Sequence, residues 1–412
     1  MTVQNITSKP EIRTLKSFYD LMQQTCEIRK RCVSAILEDT APNPQDITSL
    51  QNALHLLEEI PVDDQNHAVV ALDENRNIAI DLAYEAGELR KDIRYLINGE
   101  QALYDYFTTL HDSFEEQVRK GVEILSPVDL RSFVSDRDGT VNNYCGRYLS
   151  SIQSIYNAVF LIRFARKVVR KSVVLTSAPL NHGGIIDIAT TPLDTIVYAG
   201  SKGREYWSLS QERKAFAIPA EQQKKLNDLT QELRSFVSTP VYEKFSLIGS
   251  GFQHKFGQLT IARQDITHSI SEEESSEFLD KVRGIVAEHD PDKNTFRIED
   301  TGLDIEITLT LDDAAHGHIL KEFDKGDGVL FLDSELDLAL YEGPNLVCGD
   351  TNGDVPMARV CAEKTDKTWT IFVTDDDALK EKVARACKNH HFVSQPDMLV
   401  TILYELSKKN TK

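Results

Sequence analysis

The 412-residue chain has no uninterrupted apolar run long enough to cross a bilayer, and its opening, Met1 to Pro10, has no apolar segment of the secretory kind. These absences set the expectation of a soluble, unsecreted protein without a membrane partner. Basic residues are in short supply. Forty-six Lys and Arg face 65 Asp and Glu, a formal charge of −19 that opposes any non-specific grip on nucleic acid. A C-x-x-C pair is missing too: Cys26, Cys32, Cys145, Cys348, Cys361 and Cys387 stand apart, several within apolar runs where a free thiol packs as a small hydrophobe. A reducing cytoplasm is the compartment expected.

The length exceeds what one core usually organises, so two or three domains are expected. Up to residue 123 the period is helical. Leu15, Phe18, Met22, Cys26, Val33 and Ile36 trace one stripe, and Leu103, Phe107, Leu110, Phe114 and Val118 another. The pattern predicts a separately folded, all-α antiparallel bundle over 1–123, available for self-association or a protein partner. After a neck at Ser126-Pro127, strands and helices alternate as in a parallel α/β sheet. That core is predicted over 124–209 and 323–412, with strands at 132–136, 172–176, 195–199, 345–349 and 369–373 and a last helix at 396–408. Between its halves lies an expected α/β cap, 210–322, with helices at 220–236 and 272–288 and strands at 243–249, 257–263, 294–299 and 304–310.

Chemistry concentrates at the predicted strand tips. Ser135-Asp136-Arg137-Asp138-Gly139-Thr140-Val141 puts two carboxylates two residues apart, after the apolar Phe133-Val134 and before a Gly-containing turn. Where a strand ends the chain bends, so both acids can turn toward one ligand, and Gly139 lets the backbone approach it closely. Val173-Val174-Leu175 then delivers Thr176-Ser177, Lys325-Gly326 opens a helical stretch, and Asn345-Leu346-Val347-Cys348 leads to Asp350, with Asp354 four residues on. Open parallel sheets bind ligands at the carboxyl ends of their strands.

This ordered set resembles the haloacid dehalogenase-like phosphatases. Over essentially the whole chain it resembles the trehalose-6-phosphate phosphatases of the nematode type, which carry a helical domain before a Rossmannoid phosphatase core. Tyr198-Ala199-Gly200-Ser201-Lys202-Gly203-Arg204-Glu205 looks like the family segment Y-A-G-S-x-G-x-E. The resemblance implies Mg²⁺-dependent hydrolysis of a sugar phosphate, trehalose 6-phosphate, through an aspartyl-phosphate. Asp136 would be the nucleophile and Asp138 the general acid and base. The Asp138 backbone carbonyl, Asp136 and Asp350 would ligate the metal, with Asp354 supporting the ion or Lys325 from behind. Lys325 would hold the phosphoryl oxygens with Thr176 or Ser177, the choice between the two hydroxyls staying open. Lys255 and Glu306 resemble cap positions that hold the disaccharide, with Arg263 and Glu205 behind them.

Two motifs depart from the wider pattern: Thr176-Ser177-Ala178 stands where many members have S-G-R, and Gly349-Asp350-Thr351-Asn352-Gly353-Asp354 where many have G-D-D-x-T-D. The alternatives are a phosphatase for another sugar phosphate and an interaction protein acting through its helical domain. Elsewhere, Thr374-Asp375-Asp376-Asp377 and Ser271-Glu272-Glu273-Glu274 read as capped helix starts. His316 and His318 sit in a Gly-containing turn without a nearby cysteine, and Arg163, Arg166, Lys167, Arg170 and Lys171 read as a solvated face.

Overall fold

The computed structural model describes residues 5–7, 12–72, 76–313, 319–321 and 323–409; His316 and His318 lie outside them. The chain opens with α1 (Leu15–Leu37) and α2 (Pro44–Glu58), a hairpin of β1 (Ala68–Ala71) and β2 (Asn77–Ile80), then α3 (Ala83–Leu110) and α4 (Phe114–Leu125). A reciprocal capping box of Thr14 and Ser17 starts α1, and Asn43 followed by Pro44 starts α2. The hairpin, registered Ala68↔Ile80, corrects the all-helical expectation for 1–123. Its four-residue strands are too short to display a period.

Next come β3 (Ser132–Asp136), α5 (Ile155–Lys167), β4 (Lys171–Leu175), α6 (Ile185–Ile188), β5 (Val197–Gly200), β6 (Glu205–Trp207) and β7 (Arg213–Ala215). The inserted segment holds α7 (Ala220–Val237), β8 (Phe252–Lys255), β9 (Gln258–Ala262), α8 (Glu272–His289), β10 (Phe296–Asp300), β11 (Asp304–Leu309) and a hairpin of β12 (Leu311–Asp313) with β13 (Ile319–Lys321). The chain returns through α9 (Lys325–Leu336), β14 (Asn345–Gly349), α10 (Val355–Lys364), β15 (Thr368–Val373), α11 (Asp377–Ala386), β16 (Asn389–Val393) and α12 (Pro396–Lys409).

One sheet, ordered β16-β15-β14-β3-β4-β5-β6-β7, organises the core. The run from β16 to β5 is parallel, while β6 and β7 add on antiparallel. Because β7 joins this sheet, the core extends beyond the expected start of the cap at residue 210. Side chains alternate across the sheet. Phe133, Val174 and Cys348 join the core under α5 and α12, whereas Val134, Val173 and Val347 pack with Val329, Leu332 and Met357 of α9 and α10. β3 lies between β14 and β4, so the strands ending near Asp350, Asp136 and Thr176 are neighbours with one shared open edge.

The first helices pack directly onto the core rather than standing apart from it. Phe18 of α1 and Phe107 of α3 share one continuous core with Tyr156 and Phe160 of α5 and Leu403 of α12. Phe107 meets Tyr156 edge-on at 5.3 Å, and Phe160 stacks on Tyr404 at 3.8 Å. Apart from Leu110, which is exposed, and Ile36, which is partly buried, the apolar stripes are thus covered, because α5 and α12 are themselves apolar on the side facing these helices.

In the inserted segment α7 and α8 cover an antiparallel sheet ordered β10-β11-β9-β8. Residues 243–249, expected as a strand, instead contain a 3₁₀ turn, Glu243–Ser246, that drives Phe245 onto Phe278 at 3.8 Å. The Ser271 and Asp376 side chains cap α8 and α11 as their sequences suggest. Of the basic run, Arg166, Lys167, Arg170 and Lys171 are exposed, while Arg163 is half-buried and donates to the Tyr404 hydroxyl at 2.7 Å. Among the described residues no helix is long and apolar enough to cross a membrane.

Candidate active site

The β3 tip projects Asp136 into the open edge of the sheet, where it is buried. Asp324 and Asp327 form a capping box that fixes the first turn of α9 and so aims Lys325 at the same point. Its ammonium donates to Asp136 Oδ1 and to Asp354 Oδ1, each at 2.5 Å. The other Asp354 oxygen accepts from the backbone N–H groups of Asp350 at 3.1 Å and Thr351 at 2.9 Å, and from the Thr351 hydroxyl at 2.8 Å. Asp354 therefore serves as the brace of the β14 turn and of Lys325. Thr140 Oγ1 lies 3.2 Å from Asp136 Oδ2 and 3.0 Å from Asp350 Oδ1, linking the two tips. Gly139 turns the chain at φ +83°, and a Cβ there would stand 2.1 Å from Asp350 Oδ2. Only glycine permits that approach.

Charge within this group is unbalanced. Asp136, Asp350 and Asp354 each offer a carboxylate oxygen within 4.8 Å of the others, against the single ammonium of Lys325. Burial pushes Asp136 up to about 7 against the pull of Lys325, with Asp354 and Asp138 adding to the rise. Asp350 is pushed up to about 9 by burial and by the Asp136 and Asp354 charges. Asp354 goes the other way: burial opposes ionisation, but Lys325 and the Thr351 donors hold it below the usual carboxylate range. Hard oxygen donors in carboxylate excess fit a divalent cation, which would restore the ionised forms.

Asp138 points elsewhere. Its Oδ1 accepts from the Arg137 guanidinium and, at 3.0 Å, from the Ser151 hydroxyl. Arg137 is buried and also donates to the Ser151 carbonyl at 2.5 Å. At the β4 tip Thr176 is buried and its hydroxyl accepts from the Ala178 N–H at 3.2 Å.

A cavity of about 260 Å³ opens above these groups, lined at its floor by Asp136, Asp138, Thr176, Ser177, Lys325 and Asp350. The inserted sheet supplies the roof. Its register pairs Gln253 with Thr260 and Thr260 with Glu306, so the three form one row across β8, β9 and β11. Lys255 and Asp304 stand two residues away along β8 and β11, on the same face, and all five line the cavity. Burial lowers Lys255 to about 8 against the pull of Glu306 and Asp304. Asp304 is raised by burial to about 6, opposed by Lys255.

Three expected substrate contacts, Gly139, Glu205 and Arg263, lie outside the cavity lining. Glu205 is buried, accepting from the Ser201 hydroxyl at 2.8 Å and pairing with Arg213 at 2.8 Å. Arg263 pairs with Asp300 at 2.7 Å and donates to Ser275 at 2.7 Å. Both charges are spent locally, where a strand-end neighbour supplies the counter-charge. The sequence reading missed Gln253, Thr260, Asp304 and a third wall, Tyr144, Cys145, Gly146 and Tyr148. Period-two spacing from Lys255 and Glu306 would have found Gln253 and Asp304; the Tyr144–Tyr148 loop carries no periodic signal.

Comparison with known proteins follows the same lines. Residues 133–399 match the family model "Trehalose-6-phosphate phosphatase, C-terminal", and residues 14–113 match "Trehalose-6-phosphate phosphatase N-terminal helical bundle domain". A trehalose-phosphatase of Caenorhabditis elegans is 30% identical over 86% of this chain and 79% of its own length. Alpha,alpha-trehalose-phosphate synthase [UDP-forming] 2 of Aphelenchoides avenae is 30% identical over 96% of this chain, which spans only 32% of that protein. The solved C-terminal domain of C. albicans trehalose-6-phosphate phosphatase aligns at a TM-score of 0.46 and 14% identity, over 71% of this chain and 97% of that one. With its β3-tip aspartates, its cap and both family segments in order, the chain belongs to the trehalose-6-phosphate phosphatase family.

Proposed function

We propose that the chain hydrolyses trehalose 6-phosphate to trehalose and phosphate through an aspartyl-phosphate on Asp136. One observation carries this reading: Asp136, 2.5 Å from the Lys325 ammonium, lies beneath a cap row of hydrogen-bonding side chains suited to a sugar. An Asp136 oxygen attacks phosphorus and the bond from phosphorus to the sugar oxygen breaks, while Asp138 gives that oxygen its proton. Water then attacks the phosphorus of the acyl phosphate, its proton passing to Asp138, and phosphate leaves with Asp136 restored. Lys325 and the Thr176 or Ser177 hydroxyl hold the non-bridging oxygens, where charge must be stabilised.

Mg²⁺ held by Asp136, Asp350 and the Asp138 carbonyl would neutralise phosphoryl charge, with Asp354 behind it. In this division of labour 124–209 and 323–412 carry chemistry, and 210–322 carries specificity through Lys255, Glu306 and their row. Sugars are discriminated by hydrogen bonds that leave polar groups unpaired when the wrong ligand enters. All six cysteines are free and buried, which supports a reducing cytoplasmic setting. The test is phosphate release across trehalose 6-phosphate, glucose 6-phosphate, sucrose 6-phosphate and mannosyl phosphates, with Mg²⁺ and with EDTA. The reading expects trehalose 6-phosphate to lead by kcat/KM and EDTA to stop turnover reversibly. Equal rates on glucose 6-phosphate, or full activity in chelator, would overturn it.

A further inference from the structure

The loop from Asn142 to Ser151 walls the cavity through Tyr144, Cys145, Gly146 and Tyr148. Its two ends are tied to Arg137 at the β3 tip, through the Asn142 N–H and the Ser151 carbonyl, and between them Asn143 donates to Asp397 of α12 and the Tyr148 N–H to the Gly249 carbonyl. A further set of its polar contacts runs to α3. Tyr84 donates its hydroxyl to the Ile152 carbonyl at 2.9 Å and accepts from Asn142 Nδ2 at 3.0 Å. Glu85, 2% exposed, accepts from the Ser150 hydroxyl at 2.5 Å and from Arg147 at 2.9 and 3.1 Å. Arg147 also donates to the Asp81 carbonyl just before α3. Glu88 accepts from Asn143 Nδ2 at 3.0 Å, and Asp92 accepts from the Ile155 N–H at the start of α5 at 2.6 Å. Tyr84, Glu85, Glu88 and Asp92 fall at the one-, three- and four-residue spacings of a single helical face.

The far end of this loop reaches the acid. Ser151 donates to Asp138 Oδ1 at 3.0 Å, and Asn142 Nδ2 lies 3.3 Å from the Ser151 hydroxyl, so Tyr84, Asn142, Ser151 and Asp138 form one hydrogen-bonded chain. We infer that this face of α3 is a working part of the active site, and that Glu85 and Tyr84 are positioning residues for the Asn142–Ser151 wall and, through Ser151, for Asp138. A buried carboxylate that holds Ser150 and Arg147 of one loop is a rigid frame rather than a solvated charge, since its removal takes the counter-charge from Arg147. The inference deepens the phosphatase reading in one respect, the role given to Asp138, and otherwise stands on the contacts alone.

The test uses the full chain with Glu85→Gln and, as the milder change, Tyr84→Phe. Amide hydrogen exchange by mass spectrometry should speed up in residues 142–151, about tenfold for Glu85→Gln and about threefold for Tyr84→Phe, with β3, β14 and α3 unchanged. Turnover of trehalose 6-phosphate, whose leaving group needs a proton, should fall about tenfold or more in kcat for Glu85→Gln. Hydrolysis of p-nitrophenyl phosphate, whose leaving group needs no proton, keeps only the shared water-attack step dependent on Asp138 and should fall less than turnover of trehalose 6-phosphate. Unchanged exchange in 142–151 in both folded variants would overturn the inference, as would faster exchange throughout the chain with equal loss on both substrates. A parent inactive on trehalose 6-phosphate would refute the phosphatase reading instead, and the exchange result would still decide the loop's support.

Discussion

Asp397, at the start of α12, is fully buried where the first helices meet the core. It accepts from Lys91 of α3 at 2.9 Å, from Tyr156 of α5 at 2.5 Å and from Asn143 at 2.8 Å, and lies 2.7 Å from His111 Nε2. Asp397→Asn leaves the Lys91 ammonium with Glu88 alone, 2.7 Å away. Removing one partner from a buried ion pair costs about 3–5 kcal/mol, and the retained amide hydrogen bonds place this change near about 3. With a urea slope of about 3 kcal/mol/M, the midpoint should fall by about 1 M at pH 7.

The pH dependence has a definite sign. Burial would raise the Asp397 carboxyl, but Lys91 and the His111 and Tyr156 hydrogen bonds hold it well below the usual range. A depressed folded value means stability that is present above the unfolded value, about 3.9, and lost as pH falls toward the folded one. The gap between parent and variant should therefore be constant from about pH 7 to 5 and narrow below about 4. Both tryptophans, Trp207 of β6 and Trp369 of β15, sit in the core sheet, so fluorescence follows the core while far-ultraviolet circular dichroism is weighted toward the helices. The two transitions should coincide if helices and core unfold together. A variant within about 0.5 kcal/mol of the parent at pH 7, or a helical transition well separated from the fluorescence one, would refute the joint core.

A fragment beginning near Ile124 should be insoluble or lack a cooperative melt, because α5 and α12 lose the helices that cover them; a monomeric, cooperatively melting fragment would contradict this. Gly139→Ala should lose at least about tenfold in turnover and about 1–3 kcal/mol of stability, through its positive φ and the Asp350 contact. Steady-state assay and urea melts would show whether it is silent instead. Lys255→Ala and Glu306→Ala should lose most activity on the disaccharide phosphate and keep slow cleavage of p-nitrophenyl phosphate, and equal loss on both would place them in the chemistry rather than in recognition.

The core was legible because its signals are local. Apolar runs ending on Asp136, Thr176 and Asp350 announce parallel strands, and Lys325 opens a helical stretch, so the floor of the cavity could be assembled by matching the order of these motifs to a known family. What failed needed tertiary information. Arg263 and Glu205 look like free charges in one dimension, but Asp300 and Arg213 reach them only once β9, β10, β6 and β7 are folded. The stripes of α1 and α3 mark buried faces except at Leu110, and the helices α5 and α12 that join their core were not legible, since periodicity marks a face without naming its partner. The pairing of Glu85 with Arg147 across 62 positions left no trace in sequence.

The central claim is that Asp136 accepts the phosphoryl group, and Asp136→Asn tests it most directly. The amide fills the same volume but is too poor a nucleophile to accept the group. Phosphate release from trehalose 6-phosphate should fall to background in a variant whose circular dichroism and melt match the parent. Turnover within about tenfold of the parent, a barrier change of only about 1.4 kcal/mol, would contradict the assignment.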